Sequence, residues 1–435
     1  MLTNLGAQQL FQVGTDYRAR YLASDSPHRI QGISEFEYVP AQIYASAPDQ
    51  SILLNTATSF LQGLYPPLNG VDQVGIQELA NGSSVSTPLS GYQYVTLHGI
   101  DEDAPDTVWI KGDDFCPVVA NASADFMAST EYKSMLASTR DYYRSIHHLV
   151  ADVFPSADDL SYAKAYTIFD LVNVQHVHNA TSPAANVTAA DLFQLRTLAD
   201  SAEFGLNYNA SEPTRSLHAQ TLAGAVWSHL NDTISTKTMI PKFSLLAGSY
   251  DTFLAFFGVA DLASLSTDFH GLPDYASTMT FEVFTPTNAT FTAADARVRF
   301  LFRNGTAGSL TAFPLFGSGK ADLSWDEFTT GMQARGISTV EGWCDACKST
   351  ASFCAVYNDD VDVVANAVSA DSGVSKGSWI AVVVVMAVAL AGNAIWAALW
   401  LVRSRRERAA KNGVIAPTGA GKEVSSVRSR DGESV

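Results

Sequence analysis

Residues 42–67 read QIYASAPDQSILLNTATSFLQGLYPP: a strand-like QIYAS runs into LLNTATSFLQGL, a helical pattern that Gly63 and the Pro66-Pro67 pair stop. The alternation of strand and helix recurs on both sides. Upstream, residues 4–22 carry Leu10, Val13, Tyr17 and Tyr21 at helical spacing. Downstream, Lys242 to Ala247 is a short apolar run suited to a buried strand, Gly248-Ser249 follows, and a helical pattern extends from Asp251 to about Leu265. Further strands are expected at 280–284, 297–303 and 310–316. In the second of these Val298, Phe300 and Phe302 alternate with Arg297, Arg299 and Arg303, and Asn304-Gly305 is a hairpin turn signal. Between them, residues 123–234 are dominated by helical patterns such as EYKSMLASTRDYYRSIHHLVADVF and AADLFQLRTLADSAEF. The reading is an α/β core interrupted by a helical insertion.

Of the 435 residues 47% are hydrophobic and 16% charged, which excludes a mainly disordered chain. Only one apolar run is long enough to cross a bilayer, so a polytopic membrane protein is excluded as well. The net charge of −17 is unevenly placed: after Leu401 eight Lys or Arg face four Asp or Glu, which leaves −21 on the rest. That balance argues against nucleic acid as a partner. Trp379 to Val402 is 24 residues without a charge, followed by Arg403, Arg405, Arg406 and Arg408. A helix of this length spans a hydrocarbon core of about 30 Å, and the positive-inside rule puts the arginines in the cytoplasm. The expected organisation is a globular domain over 1–357 with a helical cap at about 123–234, a stalk at 358–378, a transmembrane helix at 379–402 and a basic tail at 403–435. In that arrangement the large domain lies outside or in the lumen, at the plasma membrane or along the secretory pathway, and the tail is drawn to the anionic inner leaflet.

Eight of the 17 asparagines stand in N-x-S/T sequons: Asn81, Asn121, Asn179, Asn186, Asn209, Asn231, Asn288 and Asn304. Chance would give roughly three, so they are expected glycosylation sites on the outer side. Cys116, Cys344, Cys347 and Cys354 are an even set that an oxidising compartment pairs into two disulfides, with three connectivities open. Zinc would require a second ligand pair beside the C-x-x-C at 344–347, and none is suitably placed, so no metal or cofactor is expected. Residues 1–30 hold no apolar signal run, so the native start is expected upstream of Met1.

LTNLGAQQLFQVGTDYRARYL at 2–22, followed by the 42–67 stretch, resembles the segment just after the catalytic motif of histidine acid phosphatases of fungal type. LPDYASTMTFEVF at 272–284 looks like that family's P-x-Y-A-S stretch leading into a strand with an acidic residue, and GWCDACKSTASFC at 342–354 is similar to its Cys-rich end. The resemblance covers most of residues 2–356. It implies a phosphoglycerate mutase-like three-layer α/β sandwich with a helical cap, and a phosphate ester or other small ligand as the bound molecule.

In the family, a His in R-H-G-x-R-x-P takes the phosphoryl group; the match begins after that motif, at Leu2. Where the family carries a phosphate-binding Arg this sequence has Ile52, and the position of its His-Asp pair falls in KFSLLAGSYDTFLAFFGVADL. Aligned on the following helix, Ser249 and Tyr250 replace His and Asp. With one residue inserted, Tyr250 replaces His and Asp251 survives as general acid. Asp251 also has the plain role of an acid at a helix start, and His147, His148, His176, His178, His229 and His270 read as solvated or packed. The expectation is a phosphatase-like domain with impaired catalysis, acting in binding at the cell surface. The alternative is an active acid phosphatase whose nucleophilic His lies in an upstream segment.

Overall fold

The computed structural model describes residues 2–68, 76–236, 240–286 and 291–357, and these form one folded unit. It opens with helix α1 (Asn4–Tyr21), whose first turn is capped by the Thr3 hydroxyl accepting from Gly6 N at 3.1 Å. Strand β1 (Ile43–Pro48) leads into α2 (Ser51–Leu64). Val13, Tyr17 and Tyr21 form the buried stripe of α1 and pack on Phe60, Leu61 and Leu64 of α2. The two helices meet backbone to backbone: a Cβ on Gly14 would sit 2.0 Å from Phe60 O, and one on Gly63 2.1 Å from Phe11 O. Gly63 therefore lies inside α2 as a contact residue, and the helix ends just before Pro66-Pro67.

After α2 come the short hairpin β2 (Ile76–Glu78) and β3 (Ser84–Ser86), a single left-handed turn α3 (Pro88–Gly91) and strand β4 (His98–Ile100). The helical region holds α4 (Pro117–Ala128), α5 (Thr130–Ser138), α6 (Arg140–Ser145), α7 (Ala165–His178), α8 (Ala189–Asn207) and α9 (Leu217–Ser235). The long helix expected over EYKSMLASTRDYYRSIHHLVADVF is thus broken. The Thr139 hydroxyl competes for the Met135 carbonyl at 2.6 Å, and α5 closes there.

Strand β5 (Phe243–Leu246) and helix α10 (Tyr250–Val259) follow. α10 stops short of Leu265 because Asp261 adopts φ +62, Leu262 N returns to Phe257 O at 2.8 Å, and Arg335 holds both the Val259 carbonyl and the Asp261 carboxylate at 3.0 Å. The remaining elements are β6 (Thr278–Phe284), β7 (Arg297–Arg303), β8 (Thr311–Phe313), β9 (Leu323–Ser324), α11 (Trp325–Gln333) and α12 (Val340–Cys347).

Two sheets result. β4, β1 and β5 are parallel in that order, with Ile43 opposite Phe243 and Ser46 opposite His98. β6, β7 and β8 are antiparallel, and β9 pairs with β7. Helix α1 joins them: the Tyr17 ring lies 6.4 Å from that of Phe243 on β5, and its hydroxyl donates to Thr278 on β6 at 2.7 Å. The expected alternation in β7 is present. Val298, Phe300 and Phe302 enter the largest core, while Arg297, Arg299 and Arg303 pair with Asp322, Glu282 and Asp16. Phe257 of α10 locks onto Phe269 and Phe302 with ring centroids 5.0 and 5.1 Å apart.

All four cysteines are paired, as Cys116–Cys347 and Cys344–Cys354. Cys344 and Cys347 lie on one turn of α12 and point to different partners, so the C-x-x-C is neither a redox pair nor half of a metal site. The bridges enclose Trp343, fully buried in a small satellite core.

One expectation of the fold class is overturned. No helix among the described residues is long and apolar enough to cross a membrane. The longest, the 19-residue α8 and α9, carry charged or polar residues throughout and pack in the globular unit. The stretch 379–402 that carried the expected transmembrane helix lies outside the described residues, as do the stalk and tail. Among the described residues the fold is the α/β unit without a spanning helix, and the single-pass membrane placement is withdrawn with it.

The glycine crossing of α1 and α2 yields a direct test. Gly63→Ala should lower the unfolding free energy by about 1–3 kcal/mol through overpacking against Phe11, and Gly14→Ala similarly, as read by denaturant melts of the purified chain.

Candidate active site at the β5–α10 turn

β5 continues its pairing past Leu246, with Ala247 N donating to Ser46 O at 2.9 Å, and the chain then turns through Gly248 and Ser249 into α10. A Cβ on Gly248 would come within 2.9 Å of Ile110, so the loop that carries residues 105–116 lies directly on this turn. That loop is pinned from several sides. The Thr252 hydroxyl donates to Ile110 O at 3.2 Å, Trp343 Nε1 donates to Gly112 O at 2.8 Å, and Cys116 is bonded to Cys347. Gly112 has no room for a side chain, since a Cβ there would sit 2.5 Å from the Thr221 hydroxyl on α9.

The arrangement brings Lys111 Nζ to 3.4 Å from Asp251 Oδ2, with both side chains largely buried. The Ser249 hydroxyl donates to the other carboxylate oxygen, and His218 Nε2, from the first turn of α9, lies 3.3 Å from the Asp251 backbone oxygen. Burial alone would raise the Asp251 pKa, but the Lys111 ammonium, the Ser249 hydrogen bond and His218 together hold it below the usual range. Lys111 is shifted upward: burial opposes its charge, and Asp251, Asp113 and Asp114 more than offset that. Next to this pair, the Tyr250 hydroxyl donates to Glu203 Oε2 of α8 at 3.2 Å, and the Tyr166 ring packs on Tyr250 at 4.4 Å. Burial pushes the Glu203 carboxyl up to about 7, moderated by the Tyr250 hydrogen bond and reinforced by the charge of Asp251.

Asp251 thus occupies the first turn of α10, as expected of an acid at a helix start. Its carboxylate is engaged sideways by Lys111 and Ser249, and the N-cap position belongs to Ser249. Ser249, Tyr250 and Asp251 are brought together; Ile52 stands on the first turn of α2 with 45% of its surface exposed. Of the histidines singled out in the sequence, His147 bonds Phe154 O, His148 bonds Ser145 O, His176 bonds Ala185 O, His229 packs on Tyr44, His270 stacks on Phe204, and His178 is exposed at the end of α7. Of the sequon asparagines, Asn81, Asn121, Asn179, Asn186 and Asn304 are exposed, Asn209 and Asn231 are partly buried, and Asn288 lies outside the described residues. Lys111, His218 and Glu203 were missed, because their only signal is a contact made across the fold.

The model of the histidine phosphatase superfamily (branch 2) matches residues 1–303. The chain belongs to that superfamily. Among solved structures, the phytase from Citrobacter braakii superposes with a TM-score of 0.51 at 12% identity, over 80% of this chain and 89% of that one. The Klebsiella sp ASR1 phytase gives 0.51 at 12% identity, over 78% and 86%. At such identity the likeness establishes the histidine phosphatase fold alone. No curated protein matches the chain.

The raised Glu203 pKa has a signed consequence. An acid whose folded pKa lies above its unfolded value adds stability that is fully present below the unfolded pKa and lost as pH rises through the folded one. The unfolding free energy should therefore lose up to about 3 kcal/mol from this group between the unperturbed 4.5 and about 7. In Glu203→Gln that part of the pH slope should vanish, measured by urea unfolding of both proteins across this range.

Proposed function

We propose that this histidine phosphatase domain acts chiefly by binding, with phosphoryl transfer impaired. The observation that carries the reading is the closed ion pair of Asp251 with Lys111. A general acid must hold a proton to give away, and Asp251 is held ionised by its neighbours. The cation that would meet a phosphoryl oxygen is already committed to that carboxylate. No arginine among the described residues bonds or pairs with Ser249, Tyr250, Asp251 or Glu203, and Ile52 presents no donor from the start of α2. Preorganised donors aimed at developing charge are worth about 10²–10³ each in rate, so the loss of two predicts turnover about 10⁴-fold or more below that of a competent phosphatase.

A phosphate ester is the ligand class that family membership suggests, and the alternative function is hydrolysis of phosphomonoesters by an active acid phosphatase. The two readings separate on aryl phosphate hydrolysis at acidic pH by the purified protein expressed together with any coding sequence upstream of Met1, beside Asp251→Asn in the same background. Negligible turnover by folded protein supports the binding role; brisk turnover abolished in Asp251→Asn would establish an enzyme with Asp251 as its acid. We also propose N-glycans at the exposed sequons Asn81, Asn121, Asn179, Asn186 and Asn304. Expressed in a glycosylating host, the chain should shift in mass on enzymatic deglycosylation, with a smaller shift for each Asn→Gln change.

A further inference from the structure

Asn-Gly stands at 69–70, 81–82, 304–305 and 412–413, and the second and third of these pairs lie among the described residues. The dipeptide is reactive because glycine has no Cβ to keep its backbone nitrogen away from the preceding side-chain amide. The fold treats the two described pairs oppositely. Asn81-Gly82 is the tip of the β2–β3 hairpin, whose strands pair only with each other among the described residues, and every residue from 76 to 86 is exposed. A two-stranded hairpin with no covered face is marginally stable in water, so this tip opens readily. A Cβ on Gly82 would meet nothing within 4 Å. Asn81 Oδ1 accepts from Ser83 N at 3.0 Å and from the Ser83 hydroxyl at 2.7 Å, while Gly82 N donates to Leu79 O at 2.9 Å, a bond that opening breaks.

At the other pair Asn304 is exposed but Gly305 is buried. Gly305 N donates to the Ser277 hydroxyl at 2.7 Å, and its carbonyl accepts from Arg303 Nε at 3.1 Å. Asn304 Oδ1 accepts from Asp274 N at 2.8 Å and from the Ser277 hydroxyl at 3.1 Å, and Asp274 is itself paired with Arg196 of α8. This turn is fastened to the folded unit.

We propose that Asn81, where it carries no glycan, is a self-modification site that converts to aspartate and isoaspartate. The Gly82 nitrogen loses its proton to base and bonds to Asn81 Cγ. Negative charge gathers on Oδ1, where the two Ser83 donors already point. The bond from Cγ to Nδ2 then breaks, and the amide nitrogen takes up a proton and leaves as ammonia. Water opens the resulting cyclic imide at either carbonyl, giving aspartate or isoaspartate and in both cases a new negative charge at the hairpin tip. A glycan on Nδ2 removes ammonia as the leaving group, so glycosylation and conversion exclude each other at this residue. The hairpin lies outside the β5–α10 turn, and the proposal does not depend on the function assigned there.

The full chain, produced in a host without N-glycosylation, is held at mildly alkaline pH and followed by peptide mapping that separates asparagine, aspartate and isoaspartate at each pair. Asn81 should convert at least about tenfold faster than Asn304, the scale on which a freely opening tip and a fastened turn differ. Ser83→Ala should slow Asn81 several-fold and leave Asn304 unchanged. In concentrated urea the two rates should converge, because both turns are then open. Circular dichroism establishes folding of the variant, and if it does not fold, the two wild-type rates with and without urea decide alone. Equal rates in the folded protein, an Asn81 that stays intact, an unchanged rate in folded Ser83→Ala, or a difference that persists in urea would each overturn the proposal.

Discussion

Lys111 and Asp251 meet across 140 residues of sequence, and their contact fixes how the disulfide-bearing loop sits on the first turn of α10. Such a pair adds little net stability, because desolvating two charges costs about as much as their attraction returns. Its effect is on arrangement. With either partner removed, the other charge would stay largely buried without its ion-pair partner, which favours the position of the loop that keeps both together. Gly112 against Thr221 and Gly248 against Ile110 let the backbones approach closely enough for the ion pair to form, and Trp343 and the Cys116–Cys347 bridge hold the loop from behind.

The same contact sets the electrostatics. Lys111 is surrounded by Asp251, Asp113 and Asp114, and Glu203 stands just beyond on α8. One cation among several acids leaves the turn with a negative surplus, the reverse of what a phosphoryl group in transfer requires. Asp113 is shared: it raises the Lys111 pKa and lines a neighbouring cavity.

What could be read in the sequence was what short-range periodicity encodes. The stripe Val13, Tyr17, Tyr21 and the alternation of Val298, Phe300 and Phe302 each follow from geometry within a single element, and both hold in the structure. The strand, turn and helix at 242–262 were legible for the same reason, and Asp251 was found there. Its partners were not, since Lys111, His218 and Glu203 reach it from a loop and two helices whose positions depend on topology. Gly63 was misread as a stop because a glycine that ends a helix and one that lets a neighbour approach look alike in sequence. The break at Thr139 was missed because a hydroxyl that takes a helix carbonyl leaves the apolar period intact. The spanning helix expected from an uncharged run has no counterpart among the described helices.

Fold and site are carried by largely separate parts of the molecule. The core is built from the phenylalanines of α10, β6 and β7 and the glycine crossing of α1 and α2, and Leu246 and Tyr250 of the β5–α10 turn pack against its edge. Ile52, on the first turn of α2, is 45% exposed, so a polar side chain in its place would cost little stability. A fold whose core is built largely elsewhere leaves the side chains at the turn free to vary, and function then follows from the groups gathered there, not from the architecture that gathers them.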